Sequence, residues 1–532
     1  LAPDAVHAHA LALPASAQET VRVEARPADR ATELVAFERP TFGPRPPSRE
    51  EKTDYGEVSA KAWRRIALDE AQSLNWSMAG TFYEAALAMA PEDPETIREV
   101  GLYRLRRFEY AEAAEALQKA LELGRNNPAV ADRSLRWGLW WARYNTLLPR
   151  AQSGALAELA ARLLAGDPDL LGYAAGLLAL VQDRTADVLC AYDGLPLHRL
   201  VGQRDHAVMK LVACRRAGRV HRELLAEMRR SFPTDPTLAC EAGSEAFNRL
   251  LKVDSDAGVT AACEYLKLHD FAQAALSLEE TVLLSGWSLS RRVLAGYLAH
   301  LMGKERQALT HLSATVDFDG VSDKPWQEVF YRALPWALER RADDPRLHYL
   351  WGNLLVHAGR QQEGLAAWNA SAAHGGDWKT LHFGAALLQS KLGGASQAQI
   401  GKLKQLCEQE RDWEYLAPYL NVLQLSGRRR ERMLELEKLM REPGCHRSVP
   451  ILYALEACVV EDLDRALELL LTTQFSATHG GGLLSYSHVR LRRLRAERAL
   501  AQGDLAAARV ELDAAEPILH HFQEDVQVLK CK

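Results

Sequence analysis

Between Trp63 and Pro128 one arrangement of small and bulky apolar side chains is written twice. Trp63, Ile66, Ala67, Ala79, Tyr83 and Ala86 recur as Ile97, Val100, Gly101, Ala113, Leu117 and Ala120, each 34 residues later, and Pro91 closes the first copy. Small residues mark places where two helices approach closely, so the pattern predicts stacked helical hairpins. A second pair follows, with Ala274, Leu278 and Thr281 recurring as Ala308, Leu312 and Thr315, and His269-Asp-Phe and Gly303-Lys-Glu at matching turns. Further units centre on Trp351-Gly352 with Gly359-Arg360, Gly364 and Trp368, then on Phe383-Gly384, Gly427-Arg428, Ala466 and Gly503-Asp504 with Ala508 and Leu512. Residues 129–200 keep helical periodicity, with Trp137, Trp140 and Trp141 spaced for one face, but hold no 34-residue register. The whole amounts to about ten hairpins.

The ends of the chain read differently. Glu19–Glu24 and Glu33–Glu38 alternate polar and apolar residues, with Pro27 and Asp29 between them, which predicts a β-hairpin. Two strands alone are marginal in water, so residues 1–39 are expected to be the remnant of an upstream β-rich domain. Residues 40–54 are proline-rich and read as an extended linker, leaving 55–532 for the helical array. Within it, residues 472–488 carry three consecutive glycines and predict a loop inserted between hairpins.

A 34-residue period with small residues at these positions resembles the tetratricopeptide repeat, which implies an all-α, right-handed solenoid. The run Leu347-His-Tyr-Leu-Trp-Gly-Asn-Leu-Leu, followed by Gly359-Arg and Gly364-Leu-Ala-Ala-Trp-Asn-Ala-Ser, is similar to a unit of large bacterial proteins. Those proteins join an uncharacterised β-rich, carbohydrate-related domain to a tetratricopeptide array. Their Trp-Glu-Gly-Gly loop is replaced here by Ala477-Thr-His-Gly-Gly-Gly, without its carboxylate and aromatic ring.

Charge and composition narrow the function classes. Lys and Arg total 65 against 70 acidic residues, a net charge of -5, which lacks the electrostatic footprint of a nucleic-acid binder. No run of apolar residues is long enough to span a membrane. The resulting expectation is a cytoplasmic protein. The eight cysteines show no paired spacing and read as small apolar residues. Phosphate-binding, serine-hydrolase and zinc-protease motifs are missing, so no catalytic residue, metal ligand or cofactor is nominated. His479, His488, His520 and His521 fit no zinc spacing. The arginines from Arg490 to Arg498 have Glu497, Glu511, Asp513 and Glu516 near enough in sequence to neutralise them.

The groove lined by the first helix of each hairpin is the expected binding surface. Arg64 and Arg98, equivalent in the two founding repeats, are placed to hold carboxylates of an extended partner, with Tyr349 adding a stacking ring and Asn353 an amide. Trp326, Trp336 and Trp378 fall outside repeat-core positions; core packing is the expectation for them as well, with aromatic platforms for sugars as the alternative. Two functions follow. One is a non-catalytic scaffold whose partner is a protein, a peptide or the chain's own upstream domain. The other, implied by the resemblance, is the helical part of a carbohydrate-active enzyme whose catalytic centre lies upstream of residue 1.

Overall fold

The structure is a computed structural model, and the residues it describes are 22–25, 35–38 and 59–519, apart from 73–75, 126, 148–150, 322, 324, 411, 442–445, 447, 450–451, 454–455, 458–462 and 473–480. Helical hairpins follow one another along nearly all of it. Ala60–Gln72 pairs with Trp76–Met89, Pro94–Arg106 with Tyr110–Leu123, Arg133–Thr146 with Ser153–Leu164, and Pro168–Val181 with Thr185–Asp193. Arg204–Arg216 and Arg222–Ser231 come next, then the short helices Pro236–Glu241 and Ser244–Leu251. Ala257–Lys267 packs on Phe271–Ser285, and Leu289–Leu301 on Glu305–Ser313. After a non-helical stretch, Phe330–Arg340 precedes the hairpins Pro345–His357 with Gln361–Ala373, Lys379–Leu392 with Gln397–Glu410, and Trp413–Leu425 with Arg429–Met440. Leu463–Thr472 and the pair Gly481–Ala501 with Leu505–Leu519 complete an all-α solenoid.

The repeat pattern supplies the core. Ala67, Ala79 and Ala86 are fully buried, as are Ala113, Leu117 and Ala120 one period later. The glycine at the small position of a later unit shows why size is restricted there: a Cβ on Gly352 would stand 2.3 Å from Cδ1 of Trp368. One correspondence fails. Thr281 is buried, whereas Thr315 is exposed, because its helix already ends at Ser313. A continuous core runs from Ile97 to Leu354. Beyond it the packing breaks into smaller clusters, around Trp368, around Leu403 and Leu423, around Leu436 and Tyr453, and around Leu512.

Most first helices end in the same way. The N–H of the second residue past the cap bonds back to the third-last helical carbonyl, as in Glu109 to Arg104, Arg184 to Ala179, Asp270 to Tyr265 and Arg360 to Leu355, at 2.8–3.0 Å. This closure requires the residue between to adopt the left-handed conformation, which glycine enters without the Cβ penalty. Gly218, Gly303, Gly359, Gly427 and Gly503 fill that position, with φ between 68° and 78°. Phe108, Asp183 and His269 fill it at φ 62°, 59° and 55°. Three hairpins therefore accept strain that the others avoid.

At the N-terminus, Arg22–Ala25 pairs antiparallel with Val35–Glu38, placing Arg22 opposite Glu38 and Ala25 opposite Val35. The expected linker 40–54 and three of the four histidine positions, His479, His520 and His521, lie outside the described residues. The expected loop 472–488 needs correction. Residues 481–488 belong to the helix Gly481–Ala501, and only 473–480 lie outside the described residues. Glycine disfavours a helix interior, but Gly481 and Gly482 sit in the first turn, where N–H groups have no intrahelical acceptor to lose.

Candidate functional site

The two arginines expected to grip a partner are already engaged within the chain. Arg64 Nη1 lies 3.0 Å from Asp93 Oδ2, and the same guanidinium pairs with Glu95. Arg98 Nε donates to Asp132 at 3.3 Å. The pairing continues along the array: Arg133 meets Asp167 at 2.8 Å, and Arg204 meets Asp235 at 2.7 Å. Each of these aspartates also caps the following first helix. Asp93 accepts from Thr96 N, Asp132 from Leu135 N, Asp167 from Leu170 N and Asp235 from Leu238 N. One carboxylate thus satisfies an orphaned helix-start N–H and clasps the preceding repeat. Burial pushes the Asp93 carboxyl up, but the Thr96 bonds and the Arg64 charge outweigh it and hold the group below the usual carboxylate range. Arg64 and Arg98 therefore set the repeat-to-repeat geometry. Asp132→Ala removes both cap and clasp and should lower stability by about 1–2 kcal/mol, whereas Asp132→Asn keeps the cap and should lose less. Thermal melting of the two variants checks the order.

Tyr349 is 4% exposed, and its hydroxyl donates to the Gly320 carbonyl at 2.8 Å. Its ring packs at 5.6 Å from that of Trp378 and is no stacking platform. Asn353 Oδ1 accepts from Trp368 Nε1 at 3.0 Å, tying the first helix of its hairpin to the second. Trp378 donates to Phe318 O at 3.2 Å and helps fasten the non-helical stretch after Ser313, while Trp336 is buried. Of the three tryptophans set apart by the sequence, Trp326 is the exposed one, at 56%.

What the first helices do offer is aromatic. Trp137, Trp141 and Tyr144 occupy one side of the helix Arg133–Thr146, with Trp137 stacked 5.8 Å from Trp141 and Trp141 stacked 5.3 Å from Tyr144. Trp137 then meets Tyr173 at 5.8 Å, and Tyr173 meets His206 at 5.4 Å. The line of rings crosses three successive first helices. Trp140, on the same helix, turns into the core instead and donates to Leu156 O at 3.1 Å. Trp137, Trp141, Tyr173 and His206 are only partly buried. Burial raises the Tyr173 phenol above its ordinary range and lowers the His206 imidazole below its own, against the raising effect of Asp169 and Asp205. At neutral pH the ladder is therefore uncharged.

The ladder ends where the solenoid meets itself. Tyr144 Oη lies 3.3 Å from Nε2 of His269, 125 residues on. Arg332 donates to Asn145 Oδ1, and Tyr110 donates to Glu328, 218 residues away. Phe108 stacks on Tyr331 with 4.0 Å between centroids, and Arg360 approaches Glu109 to 3.9 Å. Gly359 packs so closely on Trp76 that a Cβ would stand 2.4 Å from that of the tryptophan. Early hairpins are thus seamed to later ones. Two of the three strained turns, those of Phe108 and His269, supply side chains to this seam, and the third uses Asp183 to hold Arg216 at 2.6 Å.

Elsewhere the expectations of neutralised charge hold. Arg492 and Arg495 both pair with Glu511 at 2.8 Å, and Arg493 with Glu497 at 3.4 Å. Cys190, Cys214, Cys240, Cys263 and Cys407 are free thiols, and burial pushes those of Cys263 and Cys407 up to about 12. Among the described residues no group of histidines, cysteines and carboxylates is arranged to hold a metal ion, and no helix is long and apolar enough to cross a membrane.

No family model and no curated protein matches the chain. Among solved structures it is similar to yeast Tom70 at 11% identity, covering 88% of this chain and 94% of that one with a TM-score of 0.25. It is similar to the P58(IPK) TPR domain at 15% identity, with 82% and 96% covered and a TM-score of 0.20. A third structure, Naa15/Naa10 bound to HypK-THB, is similar at 12% identity over 89% and 77%, with a TM-score of 0.25.

Proposed function

We propose that the chain is a non-catalytic scaffold that holds a protein or peptide partner in extended form along its groove. The observation that carries this reading is the ladder Trp141–Trp137–Tyr173–His206, a row of partly exposed rings on consecutive first helices. Aromatic-lined grooves receive extended segments at little entropic cost, because the rings are already fixed by packing. The clasped repeats and the unbroken core from Ile97 to Leu354 keep that surface preformed. The competing reading, the helical part of a carbohydrate-active enzyme whose catalytic centre lies mostly upstream of residue 1, has in its favour only the paired strands Arg22–Ala25 and Val35–Glu38 among the described residues.

A panel of short immobilised peptides, screened against the full chain, tests the scaffold. Peptides with aromatic or proline residues at regular spacing should be retained, and Trp137→Ala and Tyr173→Ala should each weaken the tightest of them by about 2 kcal/mol, roughly thirtyfold. Melting curves of both variants verify that the solenoid survives. A panel with no binder, or a binder indifferent to both substitutions, would overturn the reading.

A further inference from the structure

The start of the helix Leu289–Leu301 holds a cluster that neither the ladder nor the seam uses. Arg292 lies over the indole of Trp287, its Cζ 3.8 Å from the ring centroid. His311, from the second helix of the same hairpin, approaches that indole to 5.4 Å between centroids. Ser288 caps the helix by accepting from Arg291 N, so Trp287 precedes the cap and Arg292 stands at the fourth helical position. Those are the two positions of a hydrophobic staple, which accounts for the stacking. It does not account for the charge.

Half-buried arginines elsewhere in the chain are matched by carboxylates: Arg64 by Asp93, Arg98 by Asp132, Arg204 by Asp235 and Arg215 by Glu241. Arg292 has no such partner among the described residues. Its Nε is buried without an acceptor, and so is Nδ1 of His311 beside it. Burial lowers the Arg292 guanidinium below its ordinary range with no carboxylate acting on it, and burial followed by the Arg292 charge lowers the His311 imidazole. Buried polar groups are rarely left unmatched, and here two lie against one indole. An acceptor with negative charge would satisfy both. The Trp287 ring meanwhile fixes the guanidinium in place, so little conformational freedom remains to be lost on binding.

We propose that Trp287, Arg292 and His311 form a binding site for an oxyanion, a carboxylate or phosphoryl group that accepts hydrogen bonds from the guanidinium and the imidazole. Calorimetric titration of the full chain at constant ionic strength tests it, with inorganic phosphate in one arm and acetylated triglycine bearing a free C-terminal carboxylate in another. The C-terminally amidated peptide serves as the neutral counterpart. Saturable binding of phosphate alone assigns the site to phosphoryl groups, and binding of the free-acid but not the amidated peptide assigns it to carboxylates. In either case Arg292→Met should weaken the bound anion by about tenfold or more, since a charge-assisted pair is lost, while helical circular dichroism is unchanged. His311→Gln should weaken it less, and it carries the comparison should Arg292→Met melt early. The proposal is overturned if the unaltered chain binds neither anion saturably, or if the substituted chains bind as tightly as it does.

Discussion

Glu456→Ala should destabilise the C-terminal hairpins by about 3–5 kcal/mol, the cost of leaving a buried charge without its partner. Arg432 and Glu456 are 2% and 1% exposed and pair with each other, and Arg429 reaches the same carboxylate at 3.0 Å from a more exposed position. Burial pulls the Arg432 guanidinium below its ordinary range, opposed by Glu456, yet an arginine cannot discard its proton near neutral pH. Once the carboxylate is gone, the only relief is local opening. Glu456→Gln keeps the shape and an acceptor oxygen and should cost less, about 1–3 kcal/mol. Arg432→Met combined with Glu456→Leu replaces the pair by apolar side chains and should recover most of the loss. Because the cluster around Leu436 and Tyr453 is separate from the core ending at Leu354, the damage should stay local. Hydrogen exchange should accelerate over 413–472 and remain unchanged over 94–354. Uniform acceleration across the chain, or a melt within about 0.5 kcal/mol of the unaltered protein, would count against this account.

Much of the fold was legible because repeats write local rules. The spacing that equates Ala79 with Ala113 and Ala274 with Ala308 reports helix contacts inside a hairpin and between neighbours, and those four alanines are all fully buried. The turn at His269 was also legible as the counterpart of that at Gly303. Its purpose was not, because Tyr144 and His269 are joined by curvature accumulated over several hairpins, to which no short spacing corresponds. The arginines are a different case. Arg64 and Arg98 read as groove positions from their place in the repeat, although the Asp-Pro at 93–94 also marks a capping carboxylate that a neighbouring guanidinium can reach. Tyr349 shows the same limit: a phenol on a first helix reads as groove surface until Gly320, in the non-helical stretch, supplies a buried acceptor. The ladder needed both kinds of information. Trp137 and Trp141 share a face by sequence, but the step to Tyr173 and His206 depends on how successive hairpins rotate.

Replacing Phe108 and His269 together by glycine should open the solenoid while leaving its hairpins intact. Both residues hold the left-handed turn position that glycine fills in five other hairpins, at an intrinsic cost of about 1–2 kcal/mol each. The double substitution removes that local strain. It also deletes the Phe108–Tyr331 stack and the His269–Tyr144 bond, contacts worth about 0.5–1.5 kcal/mol apiece. Local turn stability and seam closure should therefore move in opposite directions, which few single causes would produce. A loss of about 2 kcal/mol shifts the ratio of closed to open forms by roughly thirtyfold, enough to make an open form visible. Small-angle scattering should show a larger radius of gyration, and hydrogen exchange should quicken in 328–332, across the seam, but not in the turns at 108 and 269. The single variant Phe108→Ala separates the two effects, because it breaks the stack and keeps a Cβ in the strained position. It should open the seam without firming the turn. If the double-glycine chain keeps its radius of gyration, closure is enforced by Tyr110 with Glu328 and by the packing of Gly359 on Trp76, and the strain at Phe108 and His269 is not what closure costs. If it opens, access to the aromatic ladder is set by a few weak contacts at its Tyr144 end. A bound segment that displaced Tyr144 from His269 would then loosen the whole turn.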